Sequence, residues 1–338
     1  MRIGIVGSGG WGTALARTAS TNAEEVLLWA REPEVRQEIN INHSNRSFLP
    51  DVLLPDKVRA VGDFAELSSC EAIIMAVPSS FVRDTAMKLK PHLRPGIPVA
   101  NAAKGFELST GLPLSAVLAE VFDHGNPVAA LSGPNHAEEV GRGLPAATVV
   151  AAEDEAVAEL FQDALMTPAF RVYTSTDILG VELGGALKNI IALAAGITDG
   201  LGYGDNTKAA LMTRGMTEIV RLGVSMGARR STFAGLSGMG DLIATCTSPH
   251  SRNRRAGLAI GQGKTLEEIV GGTNMVIEGV NATRGAYALS RKLSVKMPIT
   301  EALYAVLFEG MDPSKAVASL MSRSPKSEHG EDLAFTEA

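Results

Sequence analysis

The first half of the chain alternates short apolar runs with segments whose apolar residues recur every three or four positions. The runs Arg2–Val6 and Ala146–Ala152 have the length of buried strands, and helical spacing appears at 81–89 and 153–165. Further short apolar runs lie at 26–29, 58–61, 72–77, 98–102, 128–131 and 170–173. This succession of strands and helices predicts an α/β domain built on a doubly wound sheet.

Beyond residue 177 the apolar positions follow helical spacing alone, as in KAALMTRGMTEIVRLGVSMG at 208–227. We therefore predict a sheet domain over 1–180 and an all-α domain over 181–325 that covers the crevice of the first. The polar residues 326–338 are expected to form a frayed, flexible tail. Within the first domain, the polar segment 41–56 carries turn residues and interrupts the alternation of strands and helices.

Composition narrows the class of protein. A chain of 338 residues can form two cores, and a formal net charge of −6 argues against broad nucleic-acid binding. Any anionic ligand must then bind at a local basic site. The 2 cysteines are too few for a disulfide framework, and the N-terminus lacks a signal-peptide pattern. No uninterrupted apolar run reaches the roughly 18 residues that span a bilayer. We expect a cytoplasmic enzyme without a membrane span.

A glycine motif joins the first strand to the first helix. Gly7, Gly9 and Gly12 form G-x-G-x-x-G between Arg2–Val6 and the helical pattern at 13–21. Such glycines allow a tight turn, the approach of a pyrophosphate to the backbone and close packing of helix on strand. The helix N-terminus then faces the anion. We predict an N-terminal Rossmann-type doubly wound sheet with a dinucleotide site, the alternative being a glycine-rich turn without a ligand.

The end of the second strand helps to distinguish NAD from NADP. An acidic residue there binds the ribose 2′-hydroxyl, whereas an arginine accepts a 2′-phosphate. The chain has both residues, Arg31 followed by Glu32. We expect NADP(H) to be used at least as well as NAD(H).

One basic residue interrupts the apolar helical pattern at 181–196. Lys188 lies among small and apolar residues, and a buried ammonium is unfavourable unless it is paired or loses its proton. Desolvation lowers the pKa of a lysine toward the value that a general base near pH 7 requires. Lys188 is therefore a candidate base, unless its stem carries the ammonium out to the solvent.

Other polar residues end a strand or break a helical pattern. Lys104 follows the strand at 98–102, at the edge where doubly wound sheets bind ligands, although a surface lysine is the alternative. The segment 235–255 combines glycines and Asp241 with three donors, Ser251, Arg252 and Asn253. Such donors at a helix N-terminus suit a phosphate, the alternative being a basic turn with a serine cap.

A set of motifs extends over nearly the whole chain, from Met1 to about Glu328. They are GSGGWGTALA at 7–16, LWAR at 28–31, AVPS at 76–79, AKG at 103–105, SGPNHAEEV at 132–140, GVELGGALKNIIALAAGITDGLGYGDNTKAAL at 180–211, GLSGMGDLIATCTSPHSRNRR at 235–255 and VIEGV at 276–280. Together they resemble the bacterial-type NAD(P)-dependent glycerol-3-phosphate dehydrogenase family. The resemblance implies reversible hydride transfer between NAD(P)H and dihydroxyacetone phosphate, giving sn-glycerol 3-phosphate for glycerophospholipid synthesis.

The resemblance also implies roles for single residues. Lys188 matches the family's proton acceptor from the C2 hydroxyl, and Lys104 matches a lysine that contacts substrate and cofactor. Gly10 and Asn135 stand where the family usually has serine. The implied substrate-binding residues are Lys104, Gly133, Asn135, Lys188, Asp241, Ser251, Arg252 and Asn253. The implied cofactor-binding residues are Gly7, Gly9, Gly10, Trp11, Gly12, Arg31, Lys104, Ala137, Arg252, Val276 and Glu278.

Two alternatives stay open at this point. One is another two-domain β-hydroxyacid-type dehydrogenase, such as a 6-phosphogluconate or ketopantoate reductase relative, against which the donors at 251–253 argue. The other is a non-catalytic NADP(H)-sensing module, against which Lys188, Lys104 and Asp241 argue. The chemistry requires no metal, and the sequence has no clustered histidine and cysteine ligands. Helices rich in glycine and alanine are compatible with a homodimer.

Overall fold

The apolar runs of the first half pair into one sheet. The computed structural model of the protein describes residues 1–123, 125–271, 277–325 and 327–328. The strands are β1 (Arg2–Val6), β2 (Glu25–Trp29), β3 (Ser44–Asn45), β4 (Leu49–Leu53), β5 (Val58–Val61), β6 (Ala72–Met75), β7 (Val99–Asn101), β8 (Val128–Ser132), β9 (Ala146–Ala152) and β10 (Phe170–Ser175). Within the described ranges, eight strands form a sheet in the order β10-β9-β8-β7-β6-β1-β2-β5, and β3 pairs with β4.

The large sheet is parallel except at one pair. β1 pairs with β2 on one side and with β6 on the other, so that Ile3 lies opposite both Val26 and Ala72. β8 and β9 run antiparallel, with Leu131 opposite Val150. The strand order reverses at β1, and ligands bind doubly wound sheets at the carboxyl ends of the strands around such a point. The fold thus places the glycine motif and Lys104 along one edge.

Helices flank the sheet and form the second half. In the first half they are α1 (Gly10–Ala19), α2 (Pro33–Asn42), α3 (Val82–Leu89), α4 (Leu114–Val121), α5 (Ala137–Gly141) and α6 (Glu155–Leu165). In the second half they are α7 (Ile178–Gly200), α8 (Asp205–Ser225), α9 (Asp241–Thr247), α10 (Arg252–Gly261), α11 (Leu266–Gly271), α12 (Glu278–Lys292), α13 (Pro298–Phe308) and α14 (Pro313–Met321). The predicted order of an α/β half and a helical half is confirmed.

Helix α7 forms the core of the helical half. Every residue from 180 to 198 is buried, and α8, α9, α10 and α12 pack around it. Val181 also contacts Ala130 and Ala151 of the sheet. By length and composition α7 could cross a membrane, but 89% of its apolar window is buried inside the molecule, as in a core helix. The predicted domain boundary at residue 180 falls inside α7.

The strands agree with the sequence prediction and the segment 41–56 does not. Each predicted strand is present, with ends shifted by no more than two residues. In 41–56, predicted as a polar segment with turn residues, β3 and β4 instead form a short antiparallel ladder. Leu49 and Val52 of β4 are buried in the core of the first half. Pro50 and Asp51, which has a φ of +65°, separate these two apolar residues, so the strand has no clear alternation in the sequence.

Candidate active site

The turn from β1 into α1 leaves space for an anion. Gly7 has a φ of +116°, a left-handed conformation that favours glycine. A Cβ at Gly12 would lie 1.8 Å from the carbonyl oxygen of Gly7, whereas a Cβ at Gly9 would meet nothing within 4 Å. Among the described residues no side chain caps the N-terminus of α1, so its first N–H groups can bind a ligand. The turn therefore fits the pyrophosphate of a dinucleotide.

Other residues implied as cofactor contacts lie around this turn or at the end of β2. Ala137, the first residue of α5, has its Cβ 3.5 Å from the position that a Cβ would take at Gly10. The side chain of Trp11 packs against the core of the first half. Arg31 Nη2 lies 2.6 Å from Glu32 Oε1 in an exposed ion pair. The two residues that bear on the choice between NAD and NADP are thus paired with each other.

A contact between the two halves borders the same crevice. Glu278, the first residue of α12, accepts hydrogen bonds from the backbone N–H and the hydroxyl of Ser79, at 3.2 and 2.6 Å. A Cβ at Gly105 would lie 2.6 Å from Ser79 Cβ, so the segment after β7 closely approaches this contact. Burial raises the pKa of the Glu278 carboxyl above its ordinary value, although Ser79 opposes the shift. Val276, implied as a further cofactor contact, lies outside the described residues.

Two lysines share one buried carboxylate at the centre of the site. Lys188 Nζ is 2.7 Å from Asp241 Oδ1, and Lys104 Nζ is 2.6 Å from Asp241 Oδ2. Lys188 is 5% exposed and Asp241 is 2% exposed. Lys188 also donates to Thr245 Oγ1, which in turn donates to Asp241 Oδ1 at 3.1 Å. Lys188 therefore does not extend along its stem to the solvent.

The charges of this centre are strongly coupled. Burial lowers the pKa of Lys188 to about 8, Asp241 opposes this shift, and the positive charge of Lys104 adds to it. Burial alone would raise the pKa of Asp241, but the two lysines lower it below its ordinary value. The centre thus contains two cationic groups and one carboxylate. The excess of positive charge favours an anionic ligand.

Two adjacent glycines allow α7 to bring Lys188 to this centre. A Cβ at Gly184 would lie 2.7 Å from the carbonyl oxygen of Ser237, in the π-helical turn that precedes α9. A Cβ at Gly185 would lie 2.3 Å from the hydroxyl of Ser132 at the end of β8. A side chain at Gly184 would push α7 away from the backbone of the π-helical turn, and a side chain at Gly185 would displace the Ser132 hydroxyl.

The loop after β8 has unused hydrogen-bonding groups. Lys104 Nζ donates to the carbonyl oxygen of Gly133 at 2.8 Å, and Asn135 Nδ2 donates to the carbonyl oxygen of Ala147 at 2.9 Å. The buried atoms here that lack a partner among the described residues are Ser132 Oγ, Asn135 Oδ1, His136 Nε2 and Thr148 Oγ1. Since buried polar atoms are normally hydrogen-bonded, this loop can still bind a polar ligand.

The predicted basic cluster begins helix α10. Ser251 Oγ accepts from the backbone N–H of Arg254 at 3.2 Å and so caps the helix. Arg252, the first helical residue, is exposed. This cap is compatible with an anion site, because other N–H groups of the first turn remain available, so both interpretations of the cluster stay open.

Asn253 connects α10 to its neighbours instead of pointing a free amide at a ligand. Its Nδ2 donates to Asn189 Oδ1 at 2.7 Å, and its Oδ1 accepts from the backbone N–H of Gly279 at 2.8 Å. Asn189 follows Lys188 in α7. The start of α10 and the lysine centre are thus joined by one pair of amides.

Helices α7 and α10 touch backbone to backbone. A Cβ at Gly196 would lie 2.0 Å from the carbonyl oxygen of Arg254, and a Cβ at Gly257 would lie 2.0 Å from that of Leu193. Contact this close requires glycine on both helices. It fixes how far the start of α10 lies from Lys188.

The structure gathers the chemically distinctive residues that the sequence singles out. Lys188, Lys104, Asp241 and Gly133 form one hydrogen-bonded group. Thr245 is a site residue that the sequence does not single out, although its spacing four residues after Asp241 on a helix predicts their contact. Asn189 and Ser79 are not singled out either, because their partners are distant in the sequence. The described residues contain no group of three or more His, Cys, Asp or Glu side chains that could hold a metal ion.

Both halves of the chain match models of one protein family. The model described as the N-terminus of NAD-dependent glycerol-3-phosphate dehydrogenase matches residues 2–158, and the C-terminus model matches residues 177–318.

Individual relatives match over nearly their full length. The chain is 53% identical over 327 residues to the glycerol-3-phosphate dehydrogenase [NAD(P)+] of Desulfitobacterium hafniense, covering 97% of this chain and 93% of the relative. It is 53% identical over 322 residues to that of Moorella thermoacetica, covering 95% and 96%. The crystal structure of the Coxiella burnetii glycerol-3-phosphate dehydrogenase is similar with a TM-score of 0.91 at 37% identity, covering 95% and 99%.

Proposed function

The chain belongs to the NAD-dependent glycerol-3-phosphate dehydrogenase family, and we propose that Lys188 is the proton acceptor and donor of its reaction. The protein is an oxidoreductase that acts on a CH–OH group with NAD(P), and it interconverts sn-glycerol 3-phosphate and dihydroxyacetone phosphate. The role of Lys188 is supported above all by its burial against Asp241 with a second lysine on the same carboxylate.

Lys188 can serve both directions of the reaction. In oxidation its neutral amine accepts the proton of the C2 hydroxyl, and in reduction its ammonium returns a proton to the developing alkoxide. A pKa of about 8 makes both forms accessible near neutral pH. Thr245 Oγ1 and Asp241 Oδ1 both bind Nζ and so orient its remaining proton or lone pair. Bound NAD(P) supplies the acceptor or donor of the hydride.

Lys104 and Asp241 complete the proton-transfer centre in this proposal. The ammonium of Lys104 stabilises negative charge that develops on the C2 oxygen, and its repulsion favours the neutral form of Lys188. Each oxygen of Asp241 binds one lysine, at 2.7 and 2.6 Å, so the carboxylate sets the separation of the two ammonium groups.

We assign the substrate to the space between the loop after β8 and the start of α10. Gly133 and Asn135 contact the polar groups of the carbon chain, consistent with the unpartnered Asn135 Oδ1. The phosphate binds at the capped N-terminus of α10, where Ser251, Arg252 and Asn253 lie. The contacts of Asn253 with α7 and α12 suit an orienting role for this residue.

We assign the dinucleotide to the crevice at the carboxyl edge of the sheet. Its pyrophosphate lies at the turn of Gly7, Gly9, Gly10 and Gly12, beside Trp11 and Ala137, because the first N–H groups of α1 are open there. Its 2′ position lies near Arg31. On the other side of the crevice, Lys104, Arg252 and Glu278 are the proposed contacts, and Val276 keeps its predicted role.

Adding dihydroxyacetone phosphate to the protein and NADPH tests this proposal. The near-ultraviolet absorbance of NADPH should fall with wild type and with the control Lys264→Ala, which removes an exposed lysine. Lys188→Ala should lower kcat by several orders of magnitude with little change in the Kd of NADPH. Near-native kcat in Lys188→Ala would remove this residue from the mechanism. Turnover only with other carbonyl substrates would indicate a different dehydrogenase, and binding without any turnover would indicate a sensing module.

We also propose a cytoplasmic location and a homodimer. Cys70 and Cys246 are both buried and unpaired, as suits a reducing compartment. Light scattering of the purified protein measures the mass directly, and a monomer at micromolar concentration would contradict the dimer.

A further inference from the structure

One carboxylate holds both ends of the segment that carries Lys104. This segment, the lysine loop, comprises residues 102–113 between β7 and α4. Before it, Asn101 Nδ2 donates to Glu182 Oε1 at 2.8 Å. After it, the backbone N–H of Ser115 donates to both oxygens of Glu182, at 3.0 and 3.1 Å, and the Ser115 hydroxyl donates to Oε2. Glu182 belongs to α7, so the helix that carries Lys188 also fixes a loop of the other half.

Asn101 transmits this contact to the residue before Lys104. Its Nδ2 donates to the carbonyl oxygen of Ala103 at 3.0 Å, and its Oδ1 accepts from the N–H of Ala103 at 3.1 Å. Asn101 is 1% exposed and its backbone is held in the sheet opposite Met75. The orientation of its amide therefore depends on the carboxylate that it meets, and the backbone of Ala103 depends on the amide.

Glu182 also serves as the missing cap of α4. The residue before this helix is Pro113, which makes no side-chain cap. The free N–H groups of a first turn need an acceptor, and the helix dipole favours a negative one. Glu182 is 7% exposed, and burial raises the pKa of its carboxyl while Ser115 and Asn101 lower it. A buried acceptor with several directed donors specifies one geometry.

We propose that Glu182 is a positioning residue for the dehydrogenase reaction, which fixes the lysine loop through Asn101 and Ser115 so that Lys104 reaches Asp241. The inference rests on the proposed function, because it takes Lys188 as the proton acceptor. The contact that Glu182 secures is the one between Lys104 Nζ and Asp241 Oδ2 at 2.6 Å.

The consequence for Lys188 follows from the groups that face it. These are Asp241 and Cys246 from α9, Lys104 from the lysine loop, and His136 from the start of α5. Burial raises the pKa of Cys246 to about 12, so the thiol stays neutral, and burial lowers the pKa of His136. When the lysine loop relaxes, repulsion from Lys104 weakens and Asp241 pairs with Lys188 alone. Both changes raise the pKa of Lys188.

The experiment compares Glu182→Gln with the matched control Glu218→Gln. Glu218 is also a buried glutamate, on α8, and it caps another helix by accepting from the N–H groups of Ile299 and Thr300. For each protein we would measure the unfolding midpoint and the pH dependence of kcat/KM for glycerol 3-phosphate oxidation at saturating NADP+. Both variants should lose stability. In wild type, kcat/KM should rise with pH as Lys188 loses its proton, and this rise is the limb near pH 8 of the profile. Of the two variants, only Glu182→Gln should move this limb to higher pH, by about half to one pH unit, and raise the KM of the substrate.

A milder variant keeps the test decisive if Glu182→Gln fails to fold. Ser115→Ala retains the backbone N–H and loses one hydroxyl donor to Glu182, so its limb should shift in the same direction by a smaller amount. If the limb stays at its wild-type pH in Glu182→Gln and in Ser115→Ala, or in whichever of the two folds, then Glu182 only stabilises the fold and the inference is overturned. Lys188→Ala distinguishes a failure of the inference from a failure of the proposed function. If Lys188→Ala keeps the limb near pH 8, the proposed function and the inference both fail. If Lys188→Ala loses the limb and Glu182→Gln keeps a wild-type limb, the inference alone fails.

Discussion

At the scale of single residues, the centre of the site holds more positive than negative charge. Lys188 and Lys104 share Asp241 in a place where Lys188 and Asp241 are buried and Lys104 is partly exposed. Buried ion pairs are weak stabilisers, because the loss of hydration offsets the attraction of the charges. The excess of positive charge is better explained by the ligand, since a phosphorylated substrate and a developing alkoxide both neutralise it.

Asp241→Asn tests the balance of charge in this centre. Without the carboxylate, Lys188 is left buried and Lys104 partly buried with no counter-charge, so the free energy of unfolding should fall by about 3–5 kcal/mol. The pKa of Lys188 should fall below its value of about 8, because Asp241 opposes the effect of burial. The limb of the oxidation profile should then move to lower pH, and reduction should lose its proton donor at neutral pH. An unmoved limb would mean that another group titrates there.

The cofactor preference depends on the exposed pair of Arg31 and Glu32. Arg31→Ala should lower kcat/KM for NADPH by roughly tenfold, the value of about one charge-assisted hydrogen bond, and should leave NADH little changed. Glu32→Gln frees Arg31 from its ion pair and should raise the preference for NADPH. Steady-state kinetics with both cofactors measures these ratios. A strong preference for NADH that Arg31→Ala leaves unchanged would contradict the assignment.

The sequence predicts those site residues whose type is unusual for their place. A lysine within an apolar helix and glycines between a strand and a helix each conflict with an ordinary structural role. Thr245, Asn189 and Glu182 give no such signal, because each matters only through atoms that folding brings within reach. Asn253 is the opposite case. The sequence predicts that its amide binds a ligand, and in the structure the amide connects α10 to α7 and α12.

At the scale of elements, glycine determines how the helices of the second half meet. Gly196 and Gly200 of α7 face Gly257 and Gly261 of α10, and a Cβ at any of these positions would lie within 2.3 Å of a carbonyl oxygen on the other helix. A side chain cannot move such a neighbour aside, because the atom belongs to a helical backbone. The whole of α10, with its proposed phosphate site, would have to shift.

Gly257→Ala should therefore impair both stability and catalysis. The new methyl group would lie 2.0 Å from the carbonyl oxygen of Leu193, and overpacking of this kind costs about 2–3 kcal/mol. The KM of glycerol 3-phosphate should rise, because the start of α10 moves relative to Lys188. The control is Gly204→Ala, where a Cβ meets nothing within 4 Å. Urea unfolding and steady-state kinetics measure stability and KM in both variants. Equal losses in Gly257→Ala and Gly204→Ala would exclude the contact between α7 and α10 as the cause.

Elements with a regular pattern are predicted closely, and the exceptions have a physical cause. The inner parallel strands β1 and β6 are buried on both faces and appear as continuous apolar runs, whereas the edge strand β10 alternates buried and exposed residues. β4 has only two buried residues, Leu49 and Val52, among turn-forming neighbours, so no periodic pattern is visible. The antiparallel pairing of β8 and β9 is also invisible to periodicity, because a strand of either direction has the same buried residues.

At the scale of the whole molecule, side-chain hydrogen bonds from the carboxyl edge of the sheet join the sheet half to the helical half at the site. They link Ser79 to Glu278, Asn101 to Glu182, and Lys104 to Asp241. Each pairs a residue at the carboxyl edge of the sheet with a carboxylate of the helical half. The proposed proton-transfer centre is therefore complete only when the two halves pack together.

The stability of the molecule should also depend on pH through Glu218, a buried glutamate of α8. Burial raises the pKa of Glu218 from its ordinary 4.5 to about 7, although its contacts with Ile299 and Thr300 oppose the shift. Between these values the folded protein binds more protons than the unfolded chain. The contribution is present in full below about pH 4.5 and is lost as pH rises through about 7, a change of about 3 kcal/mol.

Comparison with Glu218→Gln isolates this effect, since the variant cannot titrate at the position. The free energy of unfolding of wild type minus that of the variant should fall by about 2–3 kcal/mol between pH 5 and pH 8. Denaturant unfolding at a series of pH values provides the difference. A constant difference would mean that the carboxyl stays ionised in the folded protein.

The backbone contact between α7 and α10 also limits how the enzyme can evolve. Side chains that touch a substrate can be exchanged one at a time, and preference can then drift in small steps. The spacing between Lys188 and the start of α10 has no such adjustable part, because glycine backbones on both helices set it. With the proposed proton acceptor on α7 and the proposed phosphate site on α10, the distance from oxidised carbon to phosphate is inherited together with the helix pair. New substrates should arise mainly among molecules that preserve this reach.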